Sequence, residues 1–301
     1  METHVRPRMG TLLAVNIAAG RPGARARHVG AAFDIAARCE RLMSRHDPES
    51  ALSRLNRLAG EAAGLRAPEL ARVLRVACGL SRRLEGAFDP TIAPLIDLWR
   101  RAARRGRRPS SRSVAAAVAR VGVGGLTIAR DRVALTCPGT AIDLDGFGKG
   151  LALDRIAGGL RRARCAPALL NFGESSLLAV GRPPGGPWSI LLRHPSGGFA
   201  GRFLLADRAC STSSTRGRPL HVGGRIVGDI IDPQSGQPVP RRAQVTVVAA
   251  SAAAAEAIAT ALIVLGRGAV DGIARRMAAE VCWIDAAGVH TTPRFGLERV
   301  R

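Results

Sequence analysis

A chain of 301 residues with 47% hydrophobic content can bury a substantial core as one large domain or two intimate ones, which excludes overall disorder. Its formal net charge of +22 and pI near 11.7 point to a polyanionic partner, either a nucleic acid or something phosphorylated, and charge alone does not choose between them. The cysteines at 39, 78, 137, 165, 210 and 282 show no C-x-x-C spacing and fall mostly in apolar segments. They read as buried free thiols in a reducing compartment, not as a disulfide framework or a zinc site.

The opening stretch, METHVRPRMGTLLAVNIAAGRPG, is too short in apolar residues before its next glycine and proline for a secretory signal, and it carries no lipid-acceptor cysteine. This points to the cytoplasm, with no membrane anchor. Residues 11–18 read as a strand and 29–43 as an amphipathic helix. In the polar turn SRHDPES, Asp47 and Pro48 set the bend and Ser50 can cap a short helix over 51–58. A helix over 69–84 ends at Gly86. Beyond it, in AFDPTIAPLIDLW, Asp89 or Thr91 can cap a helix interrupted by Pro94. Asp89 is then a cap or a ligand-facing carboxylate, and capping is the commoner role.

The densest basic run, RRAARRGRRPSSR at 100–112, has at face value the look of a nucleic-acid or acidic-membrane patch. Aromatics make up only 3% of the chain, tyrosine is absent, and no recognisable nucleic-acid module frames the run. A solvated linker in an arginine-biased chain is the better reading. A helix over 113–121 and a hairpin of 126–130 with 133–136 lead into the stretch around which the chain is organised.

That stretch is AIDLDGFGKGLALDRIAGGLRRAR, residues 141–164. AIDLD alternates like a strand, GLALDRIAGGL repeats at helical spacing, and the change of period falls across the glycines at 146–150. A helix that starts in a glycine loop offers free N–H groups and a positive dipole end to an anion. Lys149 lies in this loop and is the one lysine among 45 Lys plus Arg. A compact ammonium suits a tight, phosphate-facing turn that a planar guanidinium does not.

Short strands follow at 168–172, 176–180, 188–194, 201–205 and 225–231. STSST at 211–215 reads as a hydroxyl-rich loop, able to bond phosphate or ribose or simply to face solvent. DIIDPQSG at 229–236 closes in a turn. The apolar run 245–265 is alanine-rich and interrupted by Glu256, so a buried strand and a core helix fit better than a membrane span. Glu256 and Thr260, four apart, share a helix face and offer oxygens that suit Mg²⁺, although such a pair is more often only a polar spot.

Seven ordered motifs, from residue 9 to about 266, together resemble the ApbE family of FAD:protein FMN transferases. They are MGT at Met9, SRHDPESALSRLN at Ser44, GAFDPTIAPLIDLW at Gly86, IDLDGFGKGLALD at Ile142, LLNFGES at Leu169, DIIDPQSG at Asp229 and AEAIATALIVLG at Ala255. The resemblance implies an α+β fold of mixed sheets with packed helices, in the ApbE-like, T-fold-like architecture. The chain 1–301 is expected to form a single domain, with a division into two intimate subdomains near 105–125 left open. It also implies an enzyme that binds FAD with Mg²⁺, transfers the FMN half to a threonine or serine hydroxyl of an acceptor flavoprotein and releases AMP.

By the same resemblance, Met9, Ala87, Phe88, Asp89 and Asp143 are FAD contacts, and Lys149 is the cation for the pyrophosphate. The Gly146 carbonyl, Glu256 and Thr260 are the metal ligands, and Ile231 lines the flavin side. Thr212 and Ser213 match a family Thr-Ser, with Ser214 in place of the glycine that follows it. Three further departures stand out. Asp229 occupies the place of the family's usual His, the supposed proton acceptor; Glu256 replaces the usual Asp; and His46 replaces a stacking Tyr. The near alternative is a relative that binds or hydrolyses FAD without modifying a protein. The alternative of another class is a basic nucleic-acid-binding protein using residues 100–112.

Overall fold

The computed structural model describes residues 2–18, 21–165, 167–215, 217 and 219–299. Strands β1 (Thr3–Arg8) and β2 (Thr11–Ile17) form a hairpin whose two-residue turn is Met9–Gly10. The sequence gives no strand signal for β1, because THVRPR is charged and contains Pro7. It survives as an edge strand, where a missing N–H is harmless, and Arg6 lies over the Phe33 ring at 4.6 Å. Helix α1 (Pro22–Met43) starts earlier than expected, with proline in its first turn. Helix α2 (Ala51–Arg57) is capped by Ser50, whose hydroxyl accepts from Ser53 N at 2.9 Å, as anticipated. Strand β3 (Leu65–Arg66) and helix α3 (Pro68–Arg83) follow.

Helix α4 (Ala93–Arg104) corrects two expectations. Pro94 sits in its first turn, where proline is pre-shaped for a helix, so it starts the helix instead of interrupting it. Asp89 caps nothing; Ile92 occupies the N-cap, and Asp89 Oδ1 accepts from Thr91 N at 2.8 Å and Thr91 Oγ1 at 2.5 Å. The basic run is a linker only in part: Arg100, Arg101 and Arg104 lie within α4 and Arg112 within helix α5 (Ser111–Val118), while residues 105–110 form the solvated connection between them. Strands β4 (Leu126–Ile128) and β5 (Arg132–Leu135) form the expected hairpin.

The expected strand at 141–145 does not form. Only an isolated parallel bridge joins Ile92 and Ala141. The Asn56 side chain takes the place of a ladder: its Oδ1 accepts from Ile142 N at 2.8 Å and its Nδ2 donates to Ile142 O at 3.0 Å, while Asp143 N donates to Pro90 O at 2.8 Å. Helix α6 (Gly148–Arg162) then begins in the glycine loop, as expected.

The second half is β-rich: β6 (Ala168–Phe172), β7 (Ser176–Val180), β8 (Trp188–Arg193), β9 (Phe199–Leu205), β10 (Ala209–Ser214), β11 (Leu220–Val222), β12 (Arg225–Val227) and β13 (Gln244–Ala249). Helix α7 (Ala252–Leu265), helix α8 (Val270–Met277), β14 (Glu280–Asp285) and β15 (Gly288–Thr291) complete the chain. Residues 211–214 of STSST are thus strand, not loop, because all four pair with β13, and β7 pairs the other side of β10 as far as Ser211. The strand expected at 225–231 stops at Val227.

Among the described residues, eight strands make one sheet in the order β1-β2-β6-β7-β10-β13-β14-β15, and every ladder is antiparallel. Helices α1, α6 and α7 cover one face, meeting Leu13, Phe172, Val245 and Val247. The β8–β9 hairpin covers the other, where Trp188 and Phe203 join Cys210, Val248 and Cys282. Strand β13, sandwiched between the two layers, is buried at all six positions. This is the expected α+β arrangement of helices packed on sheets. Among the described residues no helix is long and apolar enough to cross a membrane.

Candidate active site

A cavity of about 640 Å³ opens where the Met9–Gly10 turn, the α1–α2 connection, the segment before α4, the start of α6, the end of β10 and the 229–233 loop converge. That volume suits a sizeable small-molecule ligand. Met9, His46, Ala87, Phe88, Asp89, Asp143, Gly146, Lys149, Ser213, Asp229, Ile231 and Thr260 all line it. Thr212 does not. Alternate residues of a strand face opposite ways, and its hydroxyl pairs with Thr246 at 2.8 Å on the side of the sheet away from α7. The expectation of Thr212 as a side-chain contact is corrected accordingly.

One corner of the cavity is built by the two helix starts. A Cβ on Gly150 would collide with the Ala252 carbonyl and lie 2.6 Å from Ala253 N, so only glycine lets α6 meet the first turn of α7. Asp154 then joins the helices, accepting from Ser251 Oγ at 2.7 Å, Ala252 N at 2.7 Å and Ala253 N at 3.0 Å. This docking brings Lys149 Nζ within 3.6 Å of Glu256 Oε1 and 3.2 Å of the Asp145 carbonyl. Ser176 donates to the same Oε1 at 2.5 Å, whereas Glu256 Oε2 is buried without a hydrogen-bond partner. A buried carboxylate oxygen left bare is costly unless a ligand completes it.

Thr260 Oγ1 lies 3.5 Å from Ser213 Oγ and beside Gly146, 3.4 Å from where a Cβ there would stand. Among the described residues no group of three His, Cys, Asp or Glu side chains converges as a metal cluster. A cation in this corner would therefore rely on the Gly146 carbonyl, Thr260 hydroxyl and one carboxylate. These are hard oxygen donors that fit Mg²⁺, and the bare Glu256 Oε2 is the observation that favours it.

The opposite wall is acidic. Asp143 receives Arg45 Nη1 at 2.6 Å, and Arg45 Nη2 also grips both oxygens of Asp97 at 2.7 and 2.8 Å. Burial pushes the Asp143 carboxyl up, Asp145 adds to this, and the Arg45 guanidinium opposes both. Burial also raises the Asp89 carboxyl against its two bonds from Thr91. Arg45 and Glu40, which accepts from Met9 N at 2.8 Å, line the cavity without having been singled out in the sequence. The only signal for Arg45 is its place in SRHDPES beside His46.

The loop carrying Asp229 and Ile231 ends in a rigid turn. Asp232 accepts from Gln234 N at 2.9 Å and Ser235 Oγ at 2.7 Å, and Trp99 Nε1 donates to the Gly236 carbonyl at 2.8 Å. Gly236, at φ +66°, lies so close to Val114 and Val118 that a Cβ would stand 2.7 Å from each. The turn is thus clamped between α4 and α5.

The model of the ApbE family matches residues 9–283. The FAD:protein FMN transferase of Klebsiella pneumoniae strain 342 is 27% identical over 237 residues, covering 75% of this chain and 68% of that protein. That of Rhodobacter capsulatus is 31% identical over 206 residues, 66% of this chain and 39% of the relative. The apo flavinyl transferase ApbE of Pseudomonas stutzeri superposes with a TM-score of 0.83 at 28% identity, over 97% and 94% of the two chains. The ApbE protein of Thermotoga maritima superposes at 0.88 over 99% of each chain, with 24% identity, and supports the fold. With the family's match running across nearly its whole length, the chain belongs to the ApbE family.

Proposed function

We propose that the cavity binds FAD and transfers its FMN half to a threonine or serine hydroxyl of an acceptor flavoprotein. The observation that carries this reading is the Lys149–Glu256 corner. The chain's one lysine stands at a helix start in the cavity wall, 3.6 Å from a buried carboxylate whose second oxygen has no partner. A lysine at a helix N-terminus grips a pyrophosphate, and a bare carboxylate oxygen beside it calls for a divalent cation.

In this reaction the acceptor oxygen bonds to the phosphorus of the FMN phosphoryl group. The bond from that phosphorus to the bridging oxygen breaks, and AMP leaves with the bridging oxygen. The hydroxyl proton passes to the Asp229 carboxylate at the cavity wall. Lys149 holds the pyrophosphate and stabilises charge as it shifts to the leaving group. The Gly146 carbonyl, Glu256 and Thr260 would hold Mg²⁺, which when bound neutralises pyrophosphate charge. Met9, Phe88 and His46 offer soft and aromatic surface to the flavin or adenine ring. Lys149→Ala and Glu256→Ala should each abolish AMP release while circular dichroism stays native; full activity in either would defeat the reading.

Asp229 favours a second reading. A carboxylate is a weaker base than the family's usual histidine and repels an approaching phosphate, which suits a relative that binds or hydrolyses FAD without modifying a protein. Asp229→His separates the two: a large gain in transfer to an acceptor supports the hydrolytic reading of the natural chain, and a loss supports transfer by Asp229.

A further inference from the structure

The basic run borders the cavity. Ile92 at the N-cap of α4 and, at successive steps of four along the helix, Ile96 and Arg100 line it, so one face of this helix leads from the cavity wall outward to Arg104. The following loop lies against the β11–β12 turn, where Gly223 N donates to the Gly106 carbonyl at 3.2 Å and the Arg108 stem approaches Gly223. The same hairpin places Leu220 in the cavity wall.

This rim has no internal counter-charge. Seven arginines fall between 100 and 112, and no Asp or Glu occurs between Asp97 and Asp131. Asp97, the one carboxylate of α4, is already held by Arg45. Arginines elsewhere do find partners, as Arg66, Arg155, Arg202 and Arg276 show, but among the described residues none of these seven has a carboxylate within 4 Å. Arg101, Arg104, Arg105, Arg107 and Arg108 are exposed. The cavity is lined by Glu40, Asp89, Asp143, Asp145 and Asp229 alongside Arg45, Lys149 and Arg100; Arg45 and Lys149 are paired with carboxylates, so the uncompensated positive charge lies on the approach to the cavity. Such a field steers an acidic macromolecule and fixes its register more than it tightens a small ligand.

We propose that this arginine rim docks an acidic segment of the acceptor protein, laying the chain that carries the Thr or Ser hydroxyl across the cavity mouth. The proposal rests on the protein-transfer reading above. An acidic protein segment fits better than a nucleic acid because residues 100–112 contain no aromatic side chain on which a base could stack.

The test compares three proteins: the natural chain; a rim variant with Arg104→Glu, Arg105→Glu, Arg107→Glu and Arg108→Glu; and a control with the same charge change at Arg130, Arg162, Arg267 and Arg275, none of which lines the cavity. Each is titrated at low salt with three labelled probes: a peptide carrying one threonine between runs of glutamate, the same peptide with glutamine for glutamate, and a short single-stranded DNA. The glutamate peptide should bind the natural chain and the control, and roughly tenfold more weakly the rim variant, with the difference shrinking as salt rises. Equal weakening in rim and control variants would reduce the effect to net charge and overturn the proposal. So would unchanged binding by the rim variant, equal binding of the two peptides, or DNA that binds more tightly than the glutamate peptide and is released by the rim variant. FAD affinity, measured separately, should be unchanged in both variants; a natural chain that takes up no FAD refutes the reading of the cavity, while the peptide comparison still reports on the rim.

Discussion

Met9 occupies a position its backbone does not favour. It has φ +48° and Gly10 has φ +72°, so both central residues of the β1–β2 turn are left-handed, the type I′ arrangement that prefers Asn-Gly. A methionine there costs about 1 kcal/mol. The turn is nonetheless held, by Glu40 on Met9 N and by the thioether end reaching the start of α6, 3.2 Å from where a Cβ on Gly148 would stand. Met9→Asn relieves the strain and loses part of a half-buried side chain, worth roughly 0.5 kcal/mol. The unliganded protein should therefore be about 0.5 kcal/mol more stable, or about 1–2 °C in Tm for a chain of this size. Loss of a sulfur–ring contact of about 1 kcal/mol should weaken flavin binding roughly fivefold. Thermal unfolding without ligand and titration of flavin fluorescence read the two effects separately. A variant that is less stable yet binds flavin normally would show that Met9 serves the fold and not the ligand.

Two further predictions concern the walls of the cavity. Gly150→Ala drives a methyl group into the Ala252–Ala253 backbone and should cost roughly 2–3 kcal/mol by denaturant unfolding, with loss of AMP release; an unperturbed Tm would refute the close helix contact as its cause. Burial raises the Asp89 carboxyl, so its contribution to stability is fully present below the unfolded carboxylate pKa and is lost as pH rises through the raised folded value. Asp89→Asn keeps an acceptor for Thr91 and removes that loss, so the variant should gain on the natural chain between acid and neutral pH; a difference that stays flat with pH would contradict the desolvated carboxylate.

The parts of the fold read correctly from the sequence are those in which local pattern and packing agree. Strands β6 and β7 take the expected bounds because each is a short apolar run bounded by turn residues, and both are mostly buried in the sheet. Ser50 caps α2 because serine, bend and helix are adjacent in the chain. Where partners are distant, local pattern misleads. AIDLD alternates like a strand, yet the Asn56 side chain, 86 residues away, satisfies Ile142 in place of a ladder. STSST has the composition of a loop, but its hydroxyls are satisfied within the sheet, Thr212 on Thr246 and Ser211 beside Ser176.

The site shows the same division. Lys149 was legible because a single lysine in an arginine-rich chain stands at a change of period. Its partner Glu256 was legible with Thr260 as a pair of oxygen-bearing positions on one face of an apolar helix, but its pairing with Lys149 and the Gly150 approach that joins them need three dimensions. Arg45 gave almost no signal, since its acceptors Asp97 and Asp143 lie 52 and 98 residues further on. Thr212 and Ser213 look equivalent in sequence, and only the pleat of β10 sends one toward the cavity and the other away.

The most direct test of the central claim is to incubate the purified chain with FAD, with Mg²⁺ or with EDTA, and follow AMP by chromatography alongside flavin binding, both alone and with a protein acceptor present. On this claim flavin binds in the cavity, and AMP release requires the metal, is lost in Lys149→Ala, and is matched by flavin bound covalently to the acceptor. A chain that binds no flavin, or that releases AMP equally well without metal and without Lys149, would contradict it.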